Sequence, residues 1–139
     1  MLSEYITSFI CHLNVIVREI ASKNNLSSSQ YFTLHNISSN GIKMSDLSKA
    51  IGIDNSTLTR NINILISRLL VSKERSFQDR RQFVVILTSN GEKLVHNIEK
   101  QMDYKIESLA YDLDANQREQ LVDIIEKLNW KISCYTNEL

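Results

Sequence analysis

The chain has 139 residues, with sixteen basic and sixteen acidic side chains, no proline and two cysteines. That length suits one domain, residues 1–139, whose modest core would gain from dimerisation. No run approaches the roughly 18 apolar residues of a membrane span. The start Met1-Leu-Ser-Glu-Tyr5 also lacks the positive charge of a signal peptide, so a cytoplasmic protein with no membrane partner is expected. Cys11 and Cys134 lack metal-ligand spacing and suit a reducing compartment. His12, His35 and His96 are far apart, and His96 with Glu99 is only a weak i, i+3 pair. With no phosphate loop or nucleophile elbow either, neither an enzyme nor a resident metal or cofactor is expected.

In chain order, Ser3 to about Lys23 reads as a helix, with Ile6, Ile10, Leu13, Val17 and Ile20 on one stripe that Tyr5, Phe9 and Ile16 widen. Asn24-Asn25 ends it. Ser27 to Ser29 can cap a second helix, roughly Ser28 to Ser38, bearing Tyr31, Phe32, Leu34 and Ile37. After the turn Ser38-Ser-Asn-Gly41, Ile42 to Met44 can form a short edge strand, and Ser45 is placed to cap a third helix with Leu47, Ala50 and Ile51 inward. Gly52 supplies the positive φ of a helix end, and Asp54, Asn55 or Ser56 can cap a fourth helix that buries Leu58, Ile62, Leu65, Ile66 and Leu69.

That fourth helix leaves Ser56, Thr57, Thr59, Arg60, Asn61, Asn63 and Ser67 outside. An ordinary solvated face carries more Glu and Lys, whereas short hydrogen-bonding groups and Arg can approach base edges and phosphates closely. A purely structural reading, in which these residues cap the helix or are simply exposed, accounts for the same types. The next segment favours recognition. Val71 to Phe77 and Gln82 to Thr88 are β-prone and flank Gln78-Asp-Arg-Arg81, short enough to close a hairpin with a basic tip. Asp79, two residues before Arg81, is placed to accept its guanidinium and hold it extended.

Charge is distributed unevenly. Residues 56–81 carry Arg60, Arg68, Lys73, Arg75, Arg80 and Arg81 against Glu74 and Asp79, whereas residues 82–139 are net acidic. The positive field therefore sits on the segment proposed to meet DNA. Thr88 caps a long helix to about Tyr111, with Leu94, Val95, Ile98, Met102, Ile106 and Leu109 on one side. After a corner at Asp112-Leu-Asp114, a last helix from about Ala115 to Tyr135 aligns Leu121, Ile125, Leu128, Ile132 and Tyr135. Three long amphipathic helices around a compact centre carry more apolar surface than one small monomer covers, which points to a symmetric helical dimer.

Asp46-Leu-Ser-Lys-Ala-Ile-Gly52, Ser56-Thr-Leu-Thr-Arg60, Asp79-Arg-Arg81 and Leu87-Thr88 with Gly91 resemble, in order and spacing, the MarR family of winged helix-turn-helix transcriptional regulators. Gln30-Tyr-Phe-Thr-Leu34 resembles that family's second helix, and the likeness covers about Leu26 to Leu94. It implies major-groove roles for Ser56, Thr57, Thr59 and Arg60, a wing-tip role for Arg81, and Asp79 as its orienting partner. It also implies a small amphipathic effector lodged near Tyr5, Phe9, Tyr31 and His35, and raises thiol sensing through Cys11 as an alternative. Cys11 lies among Phe9, Ile10 and Leu13, which favours an inert buried thiol. This chain has Leu69 where family members commonly have Gly, and Phe77 where the wing often has Pro.

The expectation is therefore a mainly α (α+β) winged helix-turn-helix protein. It has a two-stranded β wing, room for a third short strand, and long N- and C-terminal dimerisation helices. Residues 26–94 would form the DNA-binding core, and 1–25 with 95–139 the dimerisation region. The expected partners are double-stranded DNA, a second copy of the chain and a small-molecule effector. The expected contacts are Ser56, Thr57, Thr59, Arg60, Asn61, Asn63, Lys73, Arg75, Asp79, Arg80 and Arg81. The competing class is a protein-interaction module with Ile64 and Phe77 as its adhesive patch.

Overall fold

The computed structural model describes residues 1–137. It divides into two compact units, Met1–Met102 and a second unit beginning at Asp103. In the first, α1 (Leu2–Lys23) and α2 (Ser28–His35) are followed by β1 (Ile42–Lys43), α3 (Met44–Ile51), α4 (Asn55–Ser67), β2 (Val71–Arg75) and β3 (Phe83–Leu87). Helix α5 (Ser89–Leu109) begins there as well. The strands form one antiparallel sheet in the order β1-β3-β2, with Val71 opposite Leu87, Arg75 opposite Phe83, and Ile42 opposite Val85. This is the expected mainly helical winged fold, and the third short strand is present.

The core explains why these segments form. Val17, Ile20 and Ala21 from the second half of α1 meet Tyr31 and Leu34 of α2, Leu47 of α3, Leu58, Ile62 and Leu65 of α4, Val71 and Val85 of the sheet, and Ile98 of α5. Each helix buries one stripe at helical spacing and leaves the rest to water. At the corner between α3 and α4, Gly52 takes φ +72°, and the amides of Gly52 and Ile53 both donate to the carbonyl of Ser48. Asp54 then caps α4, its carboxylate accepting from the Thr57 amide at 2.8 Å. Helix α2 starts with a reciprocal cap in which Ser27 and Gln30 satisfy each other's amides.

Four local expectations are corrected. Helix α2 stops at His35, short of Ser38, because Asn36 turns its side-chain amide back onto the Phe32 carbonyl. Helix α3 starts at Met44 after Lys43, so Ser45 sits inside the helix and its carbonyl accepts from the Ser48 hydroxyl. The strands are shorter than the β-prone runs, leaving Ser76 to Gln82 outside the ladder. Leu69, expected in the buried stripe of α4, lies past the end of that helix and is 68% exposed, because it takes φ +58° in the turn, the left-handed geometry for which Gly is the usual choice.

The junction after α4 accounts for the Leu-Thr-x-x-Gly pattern. The Thr88 hydroxyl donates to the Leu69 carbonyl at 2.7 Å and accepts from the Gly91 amide at 3.1 Å, while the Thr88 amide donates to the Leu70 carbonyl at 3.0 Å. Gly91 is buried, and a Cβ there would collide with the Leu70 carbonyl oxygen.

The second unit holds the end of α5, a corner, and α6 (Ala115–Asn137). Asp114 and Gln117 form a reciprocal cap, with both bonds at 2.9 Å. Arg118 fastens the corner by donating to the carbonyls of Ala110 and Leu113 and pairing with Glu107. Helix α6 buries none of its described residues, so Leu121, Ile125, Leu128, Ile132 and Tyr135 lie between 41% and 64% exposed. No helix among the described residues is long and apolar enough to cross a membrane.

Candidate nucleic-acid interface

Helix α4 sorts its side chains by spacing. Leu58, Ile62 and Leu65 face the core, so Ser56, Thr59, Arg60 and Asn63 are carried round to the solvent side. The Thr59 hydroxyl donates to the Asn55 carbonyl at 2.8 Å, leaving its lone pairs and methyl outward. Thr57 is half-buried, and its hydroxyl donates to Asp54 at 2.6 Å. That bond, followed by the backbone bond from Thr57, holds the Asp54 carboxyl below the ordinary range. Arg60 makes no ion pair or hydrogen bond among the described residues, which leaves its five donors for a ligand.

Asn61 does not belong to this surface. It is 6% exposed, and its amide donates to Ser29 Oγ at 2.7 Å and Thr33 Oγ1 at 3.3 Å, bridging α4 to α2. Its position explains this, because three residues after Leu58 and four before Leu65 lies within the buried stripe. Arg68 is also drawn inward, donating to the carbonyls of Asn25 and Asn24 at 2.6 and 3.3 Å.

The wing tip is a compact turn built around Ser76. This residue is buried; its amide donates to the Gln82 carbonyl, and its hydroxyl accepts from the amides of Gln78 and Asp79. Sequence reasoning missed it, although a Ser two and three residues before turn amides is a recognisable signal. Asp79 has a different role from the one expected. Its carboxylate accepts from the backbone amide of Arg81 at 3.0 Å, so it shapes the turn and leaves the guanidinium unpaired among the described residues. Arg80 and Arg81 are both exposed. Arg75 reaches across the tip to the Arg80 carbonyl at 2.6 Å, and Arg75 and Lys73 each lie 5.0 Å from the Phe83 ring. Lys73 also lines a shallow cleft with Lys43, at the start of α3, a cation that sequence reasoning did not select.

The residues expected to line an effector pocket do not gather in the chain. Tyr5 and Phe9 are 74% and 55% exposed on α1, whereas Tyr31 is buried and packs beside Phe32 and His35. Burial, then the negative charge of Glu99, raises the Tyr31 hydroxyl above its ordinary range. His35 Nδ1 lies 3.7 Å from Glu99, with both side chains about half exposed. Cys11 is exposed, contrary to its expected burial, because α1 joins the core only from its second half onward. No group of three or more His, Cys, Asp or Glu able to hold a metal occurs among the described residues.

The family model for transcriptional regulators SarA/Rot matches residues 15–98, the span from the buried half of α1 into α5. The chain belongs to this family. A relative in Bacillus subtilis (strain 168), the uncharacterised HTH-type transcriptional regulator YdgJ, is 28% identical over 92 residues. The match covers 66% of this chain and 56% of that protein, so the chain spans just over half of its length. Among solved structures, wild-type apo MarR from E. coli superimposes with a TM-score of 0.80 at 21% identity, covering 92% of this chain and 96% of that one. A point mutant of S. aureus MepR bound to an oligodeoxyribonucleotide matches at 0.64 and 21%, covering 94% and 97%. A MarR transcriptional regulator from Methanosarcina mazei Go1 matches at 0.75 and 25%, covering 94% and 97%. This SarA/Rot-family chain therefore has the MarR-type winged helix fold.

Proposed function

We propose that the protein acts as a homodimer that binds a pseudopalindromic operator and represses transcription, with a small-molecule effector modulating its affinity. The observation that carries this reading is the open row Ser56, Thr59, Arg60 and Asn63 on α4, paired with the exposed Arg80 and Arg81 of the wing. Such a row fits a major groove, and the wing arginines fit the flanking minor groove, with half-sites about 34 Å apart. The oligonucleotide bound to MepR, a protein of the same fold, supports it. The exposed apolar side chains of α6 and of the first half of α1 support a second copy as the partner that covers them. An effector acts by favouring one dimer geometry over another, whichever surface it binds.

The test is fluorescence anisotropy on the duplex upstream of the protein's own gene and on a scrambled duplex, each titrated with salt. The expected result is a large cognate preference with a steep negative salt slope. Arg60→Ala is expected to cost about 1–3 kcal/mol on the cognate duplex and little on the scrambled one. Equal losses on both would reject base reading by Arg60. Activity that survives loss of Arg60 and Arg81 but not of Ile64 and Phe77 would replace this reading with a protein-interaction module.

A further inference from the structure

The two aromatic residues of the wing are treated oppositely. Phe83 lies under two cations, Lys73 and Arg75, each 5.0 Å from its ring, whereas Phe77 is fully exposed. Phe77 borders a groove of about 580 Å³ lined also by Gly41, Ile42 and Val84, and still keeps its whole surface in water. Its backbone is nonetheless fixed. The preceding residue, Ser76, is buried and bonded to the Gln82 carbonyl, and the next two amides both donate to Ser76 Oγ at 3.2 and 3.4 Å. A large apolar side chain is thus held outward on an anchored turn, which costs hydration and confers no packing within the chain.

We infer that Phe77 is a wedge that enters the minor groove beside each half-site and unstacks a base step, so that the protein bends the DNA it binds. This deepens the DNA-binding reading and rests on it. The surroundings of Phe77 decide the partner. The next five residues, Gln78, Asp79, Arg80, Arg81 and Gln82, are all polar and carry two cations against one anion, a balance that favours a phosphate-lined groove over an apolar protein surface. Two exposed arginines beside a fully exposed aromatic match a groove with strong negative potential and apolar base faces between its steps. Arg80 and Arg81 supply attraction to the groove, and Phe77 supplies the insertion. Pyrimidine–purine steps, which unstack most easily, are the expected targets.

The experiment uses the full chain and duplexes recovered from a random library of about 30 bp, long enough for two half-sites and their flanks. These carry 2-aminopurine at flanking pyrimidine–purine steps and a donor–acceptor dye pair at the ends. The wild-type protein is expected to raise 2-aminopurine fluorescence at one step outside each half-site and to shorten the end-to-end distance. Phe77→Ala is expected to lose both signals and to bind about tenfold more weakly. Its preference for the flanking pyrimidine–purine steps should weaken while base preference within the half-sites persists, and its unfolding midpoint should not change, because the side chain is fully exposed in the free protein. Phe77→Leu, which keeps an apolar wedge, is expected to retain most of the bend. Wild-type protein that binds tightly without unstacking, or Phe77→Ala that bends DNA as wild type does, would overturn the wedge alone. Failure of any duplex to be enriched would overturn the DNA-binding reading, and the wedge with it.

Discussion

Gly91→Ala offers a sharp test of the junction that holds the wing to the recognition helix. In an isolated helix this change is favourable by about 1 kcal/mol. Here the new Cβ lands on the Leu70 carbonyl oxygen, well inside the 3.0 Å below which such contacts are not found. Either that carbonyl or the start of α5 must retreat. Retreat strains the two bonds that share the site, from the Thr88 amide to Leu70 and from the Thr88 hydroxyl to Leu69. Each is worth about 1 kcal/mol, and overpacking of a buried site adds roughly 1–3 kcal/mol. Set against the helix gain, the net expected loss is about 2–4 kcal/mol, a large part of the stability of a small domain. Thermal and urea unfolding followed by circular dichroism, at fixed protomer concentration, should show a midpoint lowered by roughly 10 °C. The neighbouring exposed Asn90→Ala serves as the control and should leave the midpoint in place. A Gly91→Ala protein that melts within about 2 °C of wild type would refute the close approach.

Asn61→Ala should destabilise the fold by about 1–2 kcal/mol in urea unfolding, because it removes the bridge to Ser29 and Thr33, yet leave base preference unaltered. A changed preference with unchanged stability would return Asn61 to the DNA surface. Leu69→Gly should hold or slightly raise the melting midpoint, since relief of a left-handed Leu, about 1 kcal/mol, offsets the extra entropy of Gly. Leu69→Val should lower it, because a β-branched residue tolerates φ +58° less well. Asp54 titrates below its ordinary 3.8 in the folded chain, so its contribution to stability is present above that pH and is lost as pH falls through the depressed value. Asp54→Ala should flatten that part of the stability profile, as measured by denaturation at pH 6 compared with pH 3, each taken as about those values.

The fold is legible wherever side-chain type and spacing agree. Gly52 followed by Ile53 and Asp54 marks the corner, and the stripe of Leu58, Ile62 and Leu65 marks the inner face of α4. Asn61 is misplaced when its polarity is allowed to outweigh its spacing. Its interval from Leu58 and Leu65 puts it inside, where two hydroxyls of α2 satisfy it. Asp79 is matched to the wrong donor when attraction between charges is weighed and the nearer backbone amide of Arg81 is not. The turn at Leu69 is hidden for another reason: a Leu gives no sign of positive φ, and what holds it is the Thr88 bond to its carbonyl together with the bonds from the Leu69 and Leu70 amides back to Ile66 and Leu65. The exposure of Cys11 is illegible because a wide apolar stripe on α1 does not say which half of the helix the chain itself covers.

The division of the cations between structure and surface sharpens what salt titration can report. Residues 56–81 contain six basic side chains, but they are not six equal phosphate contacts. Arg68 is held by the carbonyls of Asn24 and Asn25, and Arg75 by the carbonyl of Arg80 and the ring of Phe83. Both guanidiniums brace backbone, which restricts how each can present its remaining donors to a phosphate. Lys73, Arg60, Arg80 and Arg81 remain. If Arg60 reads a base and Arg81 enters a groove, Lys73 and Arg80 are left as ordinary phosphate neutralisers. A dimer then has about four such contacts, and log affinity should fall with log salt at a slope of roughly −4, against about −11 if all six cations of each protomer were engaged. The magnitude of the slope thus measures how many arginines the fold has already committed to holding itself together.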